Sequence, residues 1–329
     1  MDWSRYERAA RRIPGIVAAT LVDGQMECRG FGTLAEVPDP THLRWEIGSI
    51  TKVFTGVLLA EMSLRGEVGL DDPIGRYVPP DVAVRLPAPE QQPTLTDLAG
   101  HTAGFPRLPL TWVRRFRGMS DPYATLTERD VWEALGPATI RPRRRRPRYS
   151  NYGTGLLGHL LGRAAGIPYQ HLVSERIVAP LGLTSTDFAS NGLVEGYKGR
   201  TPTPPWTFGA LQAAGALRST AADLITFAVA CIDPPEGQLG DALRLARQHH
   251  RGGRVNGMGL GWHLRALPGR PAESTTWHNG GTYGAASFLA VDSEQQTAVA
   301  SFGNRGPRLI TPLDGASWKL FDSLPRSMR

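Results

Sequence analysis

Downstream of Ser49 the apolar residues Ile50, Val53, Phe54, Val57, Leu58 and Met62 recur at helical spacing, and Gly66 closes the run. This pattern predicts a helix over residues 50–64, apolar enough to be largely buried. Upstream, residues 3–12 read as a short helix and residues 15–22 and 26–32 as two strands. Asp23-Gly24 between the strands is a hairpin signal. A third strand, residues 43–47, leads into the Ser49 helix.

Further along, a Pro-rich connection runs to Pro93, residues 94–98 read as a short capped helix, and His101-Thr102-Ala103-Gly104 as a turn. Helical patterns follow over residues 126–135, 153–165 and 169–179, and one more begins at the capping sequence Ser219-Thr220-Ala221-Ala222-Asp223. Strand patterns return over residues 260–267, 274–278, 285–291 and 297–302, ahead of a last helix over 312–321. Strands near both ends with helices between them predict an α+β fold: an antiparallel sheet flanked by helices, plus an inserted all-helical domain. Residues 1–65 and 205–329 would form the α/β domain around the central sheet, and residues 66–204 the inserted, mainly helical one.

Composition adds constraints. At 329 residues, 41% hydrophobic and 20% charged, the chain reads as globular. Two cysteines make no disulfide framework, and no apolar run reaches transmembrane length. The first fourteen residues are polar and Arg-rich without a signal-peptide core, so the expected location is the cytoplasm. The charge of +7 is partly concentrated in an Arg run over residues 141–148. That run reads as a solvated loop, or as an attractor of an anionic substrate such as a nucleotide or thioester carrier. No helix-turn-helix, RNA-binding or zinc pattern accompanies it, so neither nucleic acid nor a membrane is an expected partner.

Of the 37 basic residues only Lys52, Lys198 and Lys319 are lysines. Where a bare positive charge suffices, this chain uses Arg. A lysine beside Ser49 offers what Arg cannot, an amine able to give up its proton and act as a base. In Ser49-x-x-Lys52 the spacing puts amine and hydroxyl on one side of the helix, and the helix start favours an oxyanion. Tyr149-Ser150-Asn151 is the only Tyr-x-Asn in the chain. A phenol near an ammonium can have its pKa lowered, and its phenolate could then take the serine proton. The Asn151 amide could bind a substrate carbonyl or hold Lys52. His278-Asn279-Gly280-Gly281, between two predicted strands, allows a substrate close to the backbone and an amide that donates to an oxyanion.

Ser49-x-x-Lys52, Tyr149-x-Asn151 and His278-Asn279-Gly280, in that order, resemble the motifs of the serine β-lactamase and penicillin-recognising superfamily. The branch is that of class C β-lactamases, D-alanyl-D-alanine carboxypeptidases and family VIII esterases. Residues 70–73, 98–104, 215–224 and 259–262 are further landmarks, so nearly the whole chain is covered. The resemblance implies Ser49 as the nucleophile of an acyl-enzyme, Lys52 sharing its proton and Tyr149 as general base. It implies Asn151 contacting Lys52 and the acyl side chain, and an oxyanion hole made by the amides of Ser49 and Gly281. No cofactor or metal is implied.

This chain departs from the pattern at His278-Asn279, where relatives have Lys followed by Thr or Ser. The Lys helps bind the carboxylate of a β-lactam or D-alanyl peptide; a histidine is a weaker anchor near neutral pH. The change points to the esterase and acyltransferase branches. The expected activity is acyl transfer through Ser49 from a small ester or amide, which could be anionic, as esterase or transacylase. The alternatives are β-lactamase or D-amino-acid peptidase activity and, more remotely, a non-catalytic sensor of acyl ligands.

Overall fold

In the computed structural model, Ile16 and Ala18 face one side of a sheet and Val17 and Ala19 the other, and all four are buried. That alternation, apolar on both faces, requires cover on both sides of the sheet. The structure describes residues 1–116, 118–136, 139–140, 144, 146–253, 257–267, 270–306 and 312–325.

The principal elements in chain order are α1 (Ser4–Ala10), β1 (Gly15–Val22), β2 (Gln25–Gly32), α2 (Thr51–Leu64), α3 (Asn151–Ala165), α4 (Ala221–Ile232), α5 (Gln238–Arg247), β3 (His263–Leu264), β4 (Thr275–Gly281), β5 (Ala286–Asp292), β6 (Thr297–Gly303) and α6 (Pro312–Ser323). The strands form one antiparallel sheet in the order β2-β1-β6-β5-β4-β3, so the two ends of the chain meet at its centre. In the β1–β2 turn Asp23 and Gly24 both have positive φ, 48° and 74°, as a type I′ hairpin requires.

On one face of the sheet α1 and α6 bury Trp3, Tyr6, Leu313, Leu320 and Phe321 against Phe288 and Val299. On the other lie α2, α4 and α5, with Leu289, Val291 and Phe302 beneath them. Residues 51–62 of α2 are all buried, because the helix is enclosed by the sheet side, by α5 and by α3. Gly66 (φ 72°) then ends the helix as its spacing predicts. Two close approaches hold α2 in place. Gly56 abuts the carbonyl of Leu260, and Gly261 (φ 74°) abuts that of Lys52, so neither position has room for a side chain.

Between α2 and α4 the chain carries several short helices and the longer α3, with a small hairpin of Gly196–Lys198 and Thr201–Thr203. Two expectations need correction. Of residues 43–47 only Trp45–Glu46 is extended; it pairs with Arg218–Ser219 and lies outside the main sheet. The helix α5 was not expected, and of residues 260–267 only His263–Leu264 joins the sheet. In the Arg run, Arg141, Pro142, Arg143 and Arg145 lie outside the described residues. Arg144, Arg146 and Arg148 are exposed, and the amides of Arg144 and Arg148 donate to the carbonyls of Thr102 and His101 at 2.8 and 2.7 Å. Among the described residues no helix is long and apolar enough to cross a membrane.

Gly56→Ala should drive a methyl into the Leu260 carbonyl and destabilise the fold by about 1–3 kcal/mol, as overpacking does. Urea unfolding of the two proteins measures it; an unchanged midpoint would show that α2 is free to shift.

Candidate active site

Ser49 sits on a short 3-10 turn, Gly48–Ile50, directly ahead of α2, and is half-buried. The sequence places it in the helix's own first turn; the structure places it just before, with Lys52 in that turn. Gly48 (φ 49°) takes a backbone conformation that side chains resist, and a Cβ there would lie 2.6 Å from the amide nitrogen of Gly281. The turn is thereby pressed against the end of β4. Ser287 Oγ fastens the same corner by donating to the Ile47 carbonyl at 2.7 Å.

Lys52 is 1% exposed. Its Nζ lies 3.1 Å from Ser49 Oγ and donates to the Ala214 carbonyl at 2.5 Å. Desolvation, with a smaller contribution from the Arg107 guanidinium, holds the amine well below its usual pKa. The neutral form is therefore favoured, and its lone pair can accept the serine proton. From the other side Tyr149 donates to Ser49 Oγ at 2.5 Å, and Lys52 Nζ stands 4.8 Å from the centre of the Tyr149 ring.

The direction of the Tyr149 shift overturns a step of the sequence reading. An ammonium was expected to lower the phenol's pKa. Desolvation raises it instead, and the buried amine that should have opposed this is itself discouraged from carrying charge. Phenol and amine, not phenolate and ammonium, are the forms the site favours. Ser49 Oγ accepts from Tyr149 on one side and stands 3.1 Å from the Lys52 amine on the other.

The structure brings some of the remaining expected residues to the site and turns others away. Asn151, the first residue of α3, is buried; its Nδ2 donates to the Tyr123 hydroxyl at 3.0 Å rather than to Lys52, and its Oδ1 has no partner among the described residues. Tyr123 stands in an aromatic wall with Trp206 and Phe208. His278 is fully buried, and its Nδ1 donates to the Asn279 carbonyl at 2.6 Å. Burial first, then the neighbouring His263 and Lys52, keep its pKa well below the usual value, so it stays neutral and anchors no anion.

Asn279 was expected to meet substrate. Strand alternation turns its side chain to the opposite face, where Nδ2 donates to Asp314 of α6 at 3.3 Å. Only its backbone remains near the site. Gly280 has no room for a Cβ because the Ile47 carbonyl and Ser287 Oγ press on it. Gly281, beside Gly48, keeps its place as an amide that could face an oxyanion. Beyond the last paired residue, Trp277, β4 has no partner on its β3 side among the described residues.

Three further groups escaped sequence reasoning. His101 packs on Tyr149 at 4.6 Å between ring centres, and His263 lies 4.9 Å from His278. Desolvation pushes His101 well below the usual histidine range and His263 to about 4. Arg107 is exposed, 5.2 Å from the centre of the Tyr149 ring, with no ion pair among the described residues. Its carbonyl accepts from the amides of Asn151 and Tyr152 at 3.1 and 3.2 Å, which fixes its loop to the start of α3. The landmark stretches 98–104 and 259–262 were the available signals for the two histidines; nothing in the sequence marked Arg107. Among the described residues no cluster of His, Cys, Asp and Glu is arranged to hold a metal.

Sheet, enclosing helices and a serine held between amine and phenol define the class, a serine hydrolase of the penicillin-recognising fold. The β-lactamase family pattern matches residues 3–312, and the chain belongs to that family. It is 26% identical to a β-lactamase of Escherichia coli K12, covering 95% of this chain and 90% of that protein. It is 31% identical to β-lactamase-like protein 2 of Dictyostelium discoideum over 55% of this chain, and the match spans only 34% of that longer protein. A β-lactamase/D-alanine carboxypeptidase from Pseudomonas syringae superposes with a TM-score of 0.82 at 20% identity over 98% of both chains, which shows the fold.

Because burial lowers the Lys52 pKa, its basic form is populated above that lowered value. kcat/KM should therefore rise with pH through a limb well below 10.5 and then level off. Lys52→Arg should remove the limb and cost about 10²–10⁴ in rate. Burial also holds His101, His263 and His278 toward their neutral forms, so a limb that survives Lys52→Arg would assign the base elsewhere.

Proposed function

We propose that the protein takes the acyl group of a small ester onto Ser49 and passes it to water or to another nucleophile, as an esterase or transacylase. The observation that carries this reading is Ser49 Oγ lying 3.1 Å from the Lys52 amine and 2.5 Å from the Tyr149 hydroxyl. Ser49 would attack while Lys52 takes its proton. Tyr149 would protonate the leaving oxygen and be restored from Lys52. The amides of Ser49 and Gly281 would hold the oxyanion, and Asn151 with the Tyr123 wall would meet the acyl group.

The neutral, buried His278 supports an ester over a β-lactam or D-alanyl peptide, since it supplies no charge for their carboxylate. Hydrolysis of β-lactams or D-alanyl peptides is the second reading, favoured by the names of the relatives. The proposal also includes a cytoplasmic location, in keeping with two cysteines, Cys28 and Cys231, that are unpaired. An anionic ester is favoured because the exposed Arg107 guanidinium stands 5.2 Å from the centre of the Tyr149 ring.

A p-nitrophenyl ester should turn over fast and a chromogenic cephalosporin slowly; the reverse ranking supports the second reading. Ser49→Ala should abolish ester turnover and the acyl adduct seen by mass spectrometry. Tyr149→Phe should reduce turnover by roughly two or more orders of magnitude, and full activity in that variant would remove Tyr149 from the mechanism. Arg107→Ala should raise KM several-fold for a carboxylate-bearing ester and not for its neutral analogue, with the difference vanishing at high salt.

A further inference from the structure

A cavity of about 690 Å³ has Tyr149 in its wall. Its apolar walls are Met258, Leu264, Trp277 and Trp318; Tyr149, His101 and His263 line it as well, and so do Arg146 and Arg265, the latter paired with Asp322. Asn151, Tyr123, Trp206 and Phe208 are not among the residues that line it. The volume is in the range of small-molecule sites, and mostly apolar walls with a few polar groups are what such sites present.

His101 supplies a polar group. Its Nδ1 accepts from the Ser150 amide at 3.3 Å, so the ring proton sits on Nε2. That N–H is buried and has no partner among the described residues, with the residue only 2% exposed. An unsatisfied donor beside an apolar cavity asks for a ligand that brings an acceptor. Tyr149 belongs both to the cavity wall and to the hydrogen bond with Ser49 Oγ, so a group lodged here touches the residue that would serve the departing or arriving oxygen.

We propose that this cavity is the subsite for the alcohol or thiol half of the substrate, and that it takes an aromatic or bulky apolar alcohol or thiol. The inference rests on the acyl-transfer reading above and names the half of the substrate that reading leaves open. In the step concerned the bond from Ser49 Oγ to the acyl carbon forms and the bond from that carbon to the departing oxygen or sulfur breaks. The serine proton ends on the departing atom through Lys52 and Tyr149. Transacylation is the same step in reverse, with a new alcohol or thiol in the cavity.

Ala266 lines the cavity at an exposed position, so Ala266→Trp narrows it without disturbing the core. Two measurements on the full chain test the proposal. Calorimetric titration of Ser49→Ala with 2-naphthol should show binding, weakened about tenfold or more when Ala266→Trp is added. In the active enzyme Ala266→Trp should lower kcat/KM about tenfold more for 2-naphthyl acetate than for trifluoroethyl acetate. No naphthol binding, binding indifferent to Ala266→Trp, or equal losses for both esters would overturn the assignment. So would a loss that follows the acyl group when phenylacetyl esters replace acetyl ones. Should the wild-type enzyme hydrolyse neither ester, the acyl-transfer reading fails, while the titration still decides what the cavity binds.

Discussion

The desolvation of one amine governs the rest of the structure. Lys52 lies in a helix whose residues are buried from 51 through 62, and an ammonium there would be separated from water on every side. The effective cost of burying such a charge is several kcal/mol, and among the described residues no carboxylate contributes to offset it. The Ala214 carbonyl and Ser49 Oγ are its polar partners, and both suit a neutral amine. The sheet, α3 and α5 that enclose α2 are therefore what hold the Lys52 amine toward its uncharged form. A guanidinium in its place would keep its charge and could accept no proton.

The same enclosure explains the close backbone contacts. Burying α2 on all sides while keeping Ser49 open requires the chain to pass very near the helix at Leu260–Gly261 and at Gly280–Gly281. Glycine at 48, 56, 261 and 280 permits that approach. The histidines follow the same rule. His101 and His278 flank Tyr149 and His263 packs on His278; burial favours the neutral form of each, and three imidazolium ions beside Lys52 would repel.

Much of this was legible in the sequence. The 50–64 helix was, because burial on all sides writes itself as an apolar run that a glycine ends. The Asp23-Gly24 hairpin was, because two positive φ angles restrict the residues allowed. Lys52 stood out because lysine is rare here. What was lost depends on distance. The Tyr149 pKa was read from one imagined neighbour, whereas desolvation sums over everything packed around the ring. The partner of Asn151, Tyr123, lies 28 residues away in a loop with no pattern of its own. The helix α5 begins just past Pro234-Pro235 and Gly237, which read as loop although Leu239, Leu243 and Ala246 keep helical spacing. Asn279 was avoidable: in a strand it cannot face the same side as His278.

The neutral interior bears on how the enzyme chooses substrate. With amine, phenol and imidazoles all favouring their uncharged forms, charge selection is left to arginines: the exposed Arg107 beside Tyr149, and Arg146 and Arg265 in the cavity lining. An exposed charge acts through water, where a pair at 4 Å is worth only about 1 kcal/mol and salt reduces it further. A few-fold preference for anions is all such a residue supplies. Burying an aromatic group in the cavity beside Tyr149 removes far more apolar surface from water, at about 25 cal/mol per Å². Shape and apolar fit, not charge, should dominate discrimination here.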